Sequence, residues 1–304
     1  MTTAEADAPT ALQRGVLEWF AGHARDLPWR DPAAGAWGVL VSEIMLQQTP
    51  VVRVEPAWRA WMTRWPTPAD LAAASPAEVL RAWDRLGYPR RALRLREAAR
   101  AITERHGGTV PHNEADLLSL PGIGSYTAGA VRAFAYRQRA VVLDTNVRRV
   151  LERAAGGAAL PPPTLRRGES ERAATLMPRD NDTSATWSAG LMELGALVCT
   201  ARAPRCGACP LAGLCRWRSA GYPPDEHSAR RRTQAWQGTD RQVRGRVLAA
   251  LRAAEQGVTP ADLVNVWPLA AQRERALASL LADSLIAVEP DADGVALAYH
   301  LPHA

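Results

Sequence analysis

Between residue 10 and about residue 217, apolar positions return every three to four residues, as in ALQRGVLEWFAGHA, AEVLRAWDRLG and RRALRLREAARAITERHGG. That spacing predicts a succession of helices, each burying one face. Breaks between them fall at LPWRDPAAG, RWPTP, AASPAE and GGTVPHN, where proline, glycine and small polar residues cluster. His106-Gly107-Gly108 reads as a helix stop, and PPPTLRRG (161–168) as a loop opening another helix. The pattern changes after residue 217. RSAGYPPDEHSARRRTQAWQGTD is polar and proline-interrupted, which predicts a linker over 218–239, made basic by Arg230, Arg231 and Arg232. Beyond it, RQVRGRVLAALRAA, TPADLVNVW and AQRERALASLLAD return to helical spacing, and SLIAVEPDADGVALAYHL reads as a hairpin around Asp293-Gly294. Helices followed by a hairpin predict a winged-helix-like module over 240–304. The fold class is mainly α with a small α+β end, and no internal repeat is visible.

A chain of 304 residues can bury a large core, in two or three domains. The net charge of +6 and pI near 9.7 suit a polyanionic partner. Every one of the 37 positive charges is arginine; the sequence contains no lysine. That excludes Schiff-base chemistry by a lysine side chain. No apolar run reaches the length of a membrane span. The opening MTTAEADAPT lacks the basic-then-apolar order of a secretory signal, so the expectation is a cytosolic chain whose cysteines stay reduced. All four cysteines, Cys199, Cys206, Cys209 and Cys215, lie within CTARAPRCGACPLAGLC. C-x6-C-x2-C-x5-C in a reducing compartment predicts a metal centre, and four thiolates on one short loop suit tetrahedral zinc or a [4Fe-4S] cluster.

Three stretches could carry chemistry. In VSEIMLQQTP (41–50), Glu43 sits among Val41, Ile44, Met45 and Leu46, and shares a helix face with Leu46 and Gln47. In LPGIGSYTAGA (120–130), Gly122 and Gly124 make a tight turn before a helix beginning near Ser125. Such a turn either joins two helices or lets backbone N–H groups approach a phosphate. It is not a Walker loop, because the lysine and spacing are missing. In AVVLDTNVRRVLERA (140–154), Asp144 follows an apolar run and opens a helix, the position of an N-cap. A helix N-terminus is expected to hold its carboxylate ionised, with a low pKa.

VSEIMLQQT, RLGY, LPGIGSYTAGA, VLDTNVRRVL and ELGALVC with its cysteine spacing occur in the order of the helix-hairpin-helix DNA glycosylases that carry an iron–sulfur cluster. The resemblance covers residues 10 to about 217 and is strongest to the MutY-type adenine DNA glycosylases. It implies a two-lobed core over 1–217, with a six-helix lobe at roughly 31–140 and an iron–sulfur lobe from 1–30 and 141–217. It also favours [4Fe-4S] over zinc. The implied substrate is double-stranded DNA with a mispaired adenine, and the implied protein is a monomer acting at the nucleoid in base excision repair.

The implied roles are specific. Glu43 protonates the adenine at N7 and then activates water, its apolar flanks raising its pKa enough to hold a proton. Asp144 stabilises the positive charge that builds on the deoxyribose, or traps it covalently. Asn146 and Tyr126 hold and polarise these groups. Gln48 fills the space left by the extruded base and Tyr88 wedges beside the base opposite, with Gln47, Thr49 and Leu86 lining that region. Gly122, Gly124, Ser125 and Arg148 meet the DNA backbone. Trp29, Arg30, Leu46 and Val51 wall the adenine pocket. The cluster loop presents Arg202, Arg205 and Arg216 to phosphates, with Arg149 beside them. Bifunctional relatives carry a nucleophilic lysine where this chain has Tyr126, which implies a monofunctional glycosylase.

Two departures stand out. Pro89 follows RLGY where many relatives have a second tyrosine. The tail of about 65 residues shows no resemblance to the MutT/Nudix-like domain with which many members inspect 8-oxoguanine. A thymine glycosylase acting on T·G mismatches shares much of this core. A non-catalytic redox sensor built from the cluster and the winged helix is the alternative of another class.

Overall fold

The computed structural model describes residues 10–228 and 236–303. Its α-helices, in chain order, are α1 (Ala11–His23), α2 (Gly35–Leu46), α3 (Val51–Arg64), α4 (Pro68–Ala73), α5 (Pro76–Trp83), α6 (Arg90–Arg105), α7 (Glu114–Ser119) and α8 (Ser125–Phe134). They continue as α9 (Thr145–Leu151), α10 (Arg167–Leu176), α11 (Asn181–Leu197), α12 (Arg216–Ser219), α13 (Asp240–Ala253), α14 (Pro260–Val266) and α15 (Ala270–Ala282). Local chemistry sets several starts. Thr67, Ser75 and Thr259 each precede a proline and make a capping box with the acid three residues on: Asp70, Glu78 and Asp262. Helix α6 stops at His106, as the two following glycines predict; Gly108 donates back to the Ile102 carbonyl at 3.1 Å.

The chain divides into two compact units, and their boundaries differ from the expected lobes. One comprises residues up to 40, 112–118 and 123–232; the other comprises 41–111, 119–122 and the chain from 233. Helix α8 joins the first unit because its small residues lie against the chain leading to Asp144. Ala130 and Ala133 pack with Ala140, Val142 and Ala185, and a Cβ at Gly129 would stand 2.6 Å from the Val141 carbonyl oxygen. The main core of this unit is built by α1, α9 and α11 around Val16, Val147, Trp187, Leu191 and Leu194.

In the second unit, the C-terminal module has the expected form. Helices α13, α14 and α15 are followed by an antiparallel pair, β1 (Ala287–Pro290) and β2 (Ala296–His300), and Val258 bridges to Tyr299 as a one-residue third strand. This module is not set apart by its linker. Arg81 donates to the Ala254 carbonyl at 3.5 Å, and Arg90 pairs with Asp283 at 3.1 Å. Arg230, Arg231 and Arg232, the expected basic run of that linker, lie outside the described residues. The first linker residues pack back on the cluster lobe: Trp217 donates to the Pro223 carbonyl at 2.8 Å and meets Tyr222 edge-on. No described helix is long and apolar enough to cross a membrane.

Candidate active site

In the first unit, Asp144 is the N-cap of α9, as its position in the sequence predicts. One carboxylate oxygen accepts the Val147 N–H at 2.6 Å, and the other accepts the Asn146 side-chain amide at 2.8 Å. Asn146 is itself fixed from behind, since its Oδ1 accepts from Arg149 at 2.8 Å. Arg149 then donates to the carbonyls of Gly195 and Cys199, both at 2.7 Å. The expected low pKa of Asp144 needs correction. Burial pushes its carboxyl above the usual carboxylate range, and the bonds from Val147 and Asn146 and the charge of Arg149 offset this only in part. Tyr126 lies in the first turn of α8 and packs, half-buried, on the alanine cluster around Ala130.

Gly195 was not singled out by sequence reasoning, yet it shapes this corner. A Cβ there would meet the Asn146 Cβ at 2.6 Å, so only glycine lets α11 approach the start of α9 this closely. The signal available was ELGALVC itself, where a glycine stands inside a long helical run.

Three arginines assigned to DNA or the base are already engaged. Arg148 is 11% exposed at its side chain and forms a two-point ion pair with Glu169, at 2.7 and 2.9 Å, while donating to the Pro162 carbonyl. Arg149 is buried in the carbonyl network above. Arg30 pairs with Glu193 at 2.9 Å and lies over the Phe20 ring. Arg25 completes that pair; burial pushes Glu193 up, but the Arg25 bonds and the Arg30 charge prevail and hold it below its ordinary range. Arg30 and Arg148 thus sit in ion pairs and Arg149 in a network of carbonyls within the protein. Trp29 is buried. In the cluster loop Arg202, Arg205 and Arg216 are exposed, with Arg205 held by the Leu197 carbonyl and Arg216 by that of Ala155.

Cys199, Cys206, Cys209 and Cys215 line one recess together with Arg153 and Trp217. Among the described residues no three histidine, cysteine or acidic side chains are placed to hold a single metal ion. Four cysteines around one recess fit the donor set of a [4Fe-4S] cluster. Arg153 supplies a buried positive charge beside the sulfurs, 3.4 Å from Cys199 Sγ, and its guanidinium is tied to the carbonyls of Ala159, Thr200 and Ala201. Burial and the neighbouring thiols push Cys209 up to about 11, so binding a cluster must expel protons. Cys206→Ser is expected to yield protein without brown colour and without stoichiometric iron and sulfide by elemental analysis; retained iron would contradict the four-cysteine ligand set.

In the second unit, Glu43 is 4% exposed, on a stretch of α2 where Val41, Ile44 and Met45 are equally enclosed. A carboxyl enclosed in so apolar a stretch is costly to ionise, which favours its protonated form. Beyond α2, Gln47 is half-buried and Gln48 exposed at φ +57°, while Thr49 is buried and donates to the Leu86 carbonyl at 2.9 Å. The RLGYP turn holds Gly87 at φ +79° and Tyr88 at +47°. Gly122 takes φ +78°, and a Cβ there would collide with Arg94 at 2.9 Å, so this glycine cannot be replaced without displacing α6. Gly124 caps α8 without a side chain, and Ser125 is exposed. Leu46 and Val51 are half-buried.

One guanidinium joins the first two of these loops. Arg91 donates to the carbonyls of Ile44, Met45 and Gln47 at 2.6–3.1 Å, to Thr49 Oγ1 at 3.0 Å, and to the carbonyls of Leu86 and Gly87 at 3.0–3.1 Å. Burial lowers its pKa to about 10, against the pull of Tyr88, which leaves it charged at neutral pH.

Residues 41–173 match the HhH-GPD superfamily of base excision DNA repair proteins, and residues 199–215 match the iron-sulfur binding domain of endonuclease III. Fold and cysteine loop thus define a helix-hairpin-helix DNA glycosylase that binds a [4Fe-4S] cluster. An adenine DNA glycosylase of Mycolicibacterium smegmatis is 56% identical over 92% of this chain and 93% of its own length, and that of Mycobacterium tuberculosis is 55% identical over 89% and 88%. The chain belongs to the adenine DNA glycosylase family. The human adenine DNA glycosylase is 42% identical but covers 69% of this chain and 40% of its own length, whereas the mycobacterial matches must reach into the C-terminal module. The structure of a thermostable thymine-DNA glycosylase superposes with a TM-score of 0.62 at 29% identity, covering 68% of this chain and 95% of its own.

Proposed function

We propose that this enzyme removes adenine mispaired with 8-oxoguanine or guanine by hydrolysis of the N-glycosyl bond. Glu43 carries the proton to N7 of the departing base and afterwards takes one from the attacking water, so the bond breaks without an anionic leaving group. Asp144, held rigidly by Val147 and Asn146, faces the positive charge that develops on the sugar. Asn146 holds the Asp144 carboxylate in orientation, and Tyr126 occupies the hairpin position where a lysine would attack the sugar. The [4Fe-4S] cluster, when bound, supplies a structural tie for the 199–215 loop, which presents Arg202, Arg205 and Arg216 to phosphates.

The observation that carries this reading is a carboxyl buried at 4% exposure on an apolar helix end, in a chain of the adenine glycosylase family. Support for the DNA contacts comes from backbone strain. Gln48 and Tyr88, proposed to occupy the helix at the extruded base and at its partner, are non-glycine residues held at positive φ. Such conformations cost energy and persist only where the surrounding structure fixes them, as Arg91 does here through the Gln47 and Gly87 carbonyls. Gln47, Thr49, Leu86, Gly122, Gly124 and Ser125 support these contacts, and Leu46 and Val51 line the base. The protein is proposed to work as a cytosolic, nucleoid-associated monomer.

Duplexes carrying A·8-oxoG, A·G and T·G, each assayed with and without hot alkali, test this directly. Base release is expected on the two adenine mispairs, with strand breaks only after alkali. Release of thymine would move the enzyme to the T·G-specific branch, and breaks without alkali would contradict monofunctional hydrolysis.

A further inference from the structure

The C-terminal module reaches the RLGYP turn through one side chain. Arg241, in the first turn of α13, donates from Nη2 to the Tyr88 hydroxyl at 2.9 Å, and its guanidinium lies 4.8 Å from the centre of the Tyr88 ring. The same guanidinium is 5.3 Å from the Trp236 ring. Trp236 is tied to the helix start, because its carbonyl accepts the Thr239 hydroxyl at 2.7 Å and Thr239 caps α13. The module is anchored below this contact. Asp283 takes Arg244 of α13 at 2.6 Å and Arg90 of α6 at 3.1 Å, bridging the module to the helix that follows Tyr88. On the other side, the Arg91 guanidinium lies 5.6 Å from the same tyrosine ring.

Tyr88 needs such support. It is 42% exposed and sits at φ +47° between Gly87 and Pro89. An exposed aromatic at an unfavourable φ would otherwise sample several orientations. A hydrogen bond to the hydroxyl and a cation against the ring together select one.

We infer that Arg241 is a positioning residue that holds Tyr88 ready to enter the duplex, and that through it the C-terminal module sets the enzyme's response to the base opposite adenine. The inference rests on the proposed wedge role of Tyr88. It gives the module a task that needs no separate domain for reading 8-oxoguanine: orientation of a side chain supplied by the catalytic core.

The test uses the full chain and duplexes in which the adenosine carries a 2′-fluorine, which resists cleavage because the oxocarbenium ion is destabilised. Dissociation constants are measured with 8-oxoguanine opposite and with an abasic analogue opposite. Arg241→Met is expected to weaken binding about fivefold when a base stands opposite and to leave the abasic duplex unchanged, since Tyr88 then has no base to meet. Tyr88→Phe, which removes only the hydroxyl, is expected to reproduce most of that loss, and the double variant to add little to Arg241→Met. Equal weakening on both duplexes would make Arg241 a simple phosphate contact and overturn the inference, as would full additivity. Tyr88→Ala separates the two readings. If it lowers the ratio while Arg241→Met does not, only the positioning role fails; if it leaves the ratio unchanged, the wedge itself fails and the inference with it.

Discussion

Glu43→Gln is expected to bind a duplex containing A·8-oxoG within about twofold of the unaltered enzyme, yet to release adenine about 10²–10⁴ times more slowly in single-turnover assays. The amide has the shape of the acid and fits the same enclosed position beside Val41, Ile44 and Met45, so folding and DNA contacts should survive. What it lacks is the proton. Adenine is a poor leaving group as an anion, and nothing else on α2 can supply a hydrogen ion in that environment. Binding by gel shift together with base release therefore separates a chemical role from a structural one. Release at nearly the unaltered rate would leave Glu43 as a buried curiosity and favour a non-catalytic DNA-binding protein.

The second large effect is expected at Asp144, where activity and stability should move in opposite directions. Asp144→Asn keeps an acceptor for the Val147 N–H, so the cap of α9 survives. It removes the negative charge that would face the developing cation, for an expected loss of about 10²–10³ in turnover. Stability follows a different rule. Because burial raises the Asp144 pKa in the folded state, ionising it costs stability; that cost is complete above the raised pKa and disappears below the ordinary value of 3.8. Relative to the unaltered enzyme, the variant should thus melt highest at neutral pH, and its advantage should shrink as the pH falls through the acid range. Part of the gain is offset because the Asn146 amide, whose Oδ1 is committed to Arg149, would face a second amide nitrogen or lose its partner. A melting-temperature difference that grew on acidification would reverse the assigned sign.

Much of this enzyme can be read from local patterns. Thr-Pro-x-Asp and Ser-Pro-x-Glu announce helix starts at 67, 75 and 259, the tail's periods announce helices before a hairpin, and the cysteine spacing announces a metal loop. Asp144 as a cap is equally local. The partners of the arginines were not legible, for the complementary reason. A basic residue shows its charge in the sequence but not its partner, and these partners are distant: Glu193 is 163 residues from Arg30, Glu169 is 21 from Arg148, and the Cys199 carbonyl is 50 from Arg149. In a chain with 37 arginines and lysines combined, all arginine, many cations are used up inside the protein. The unit boundaries were also hidden, since they depend on Gly129 and the alanines of α8 meeting residues 140–142, and on Asp283 reaching back to Arg90. Burial overriding the helix terminus at Asp144 needed a three-dimensional environment before it could be weighed.

Arg91 carries a final consequence. The stretch that ends α2 and the turn that presents Tyr88 are separate in sequence, but both hang their carbonyls on the same flat cation. The gauge between the loop that carries Gln48 and the turn that carries Tyr88 is therefore the width of a guanidinium, a rigid planar group with fixed donor directions. Lysine, with a single rotatable ammonium, could satisfy a few of those oxygens but could not keep the two arms at a constant span.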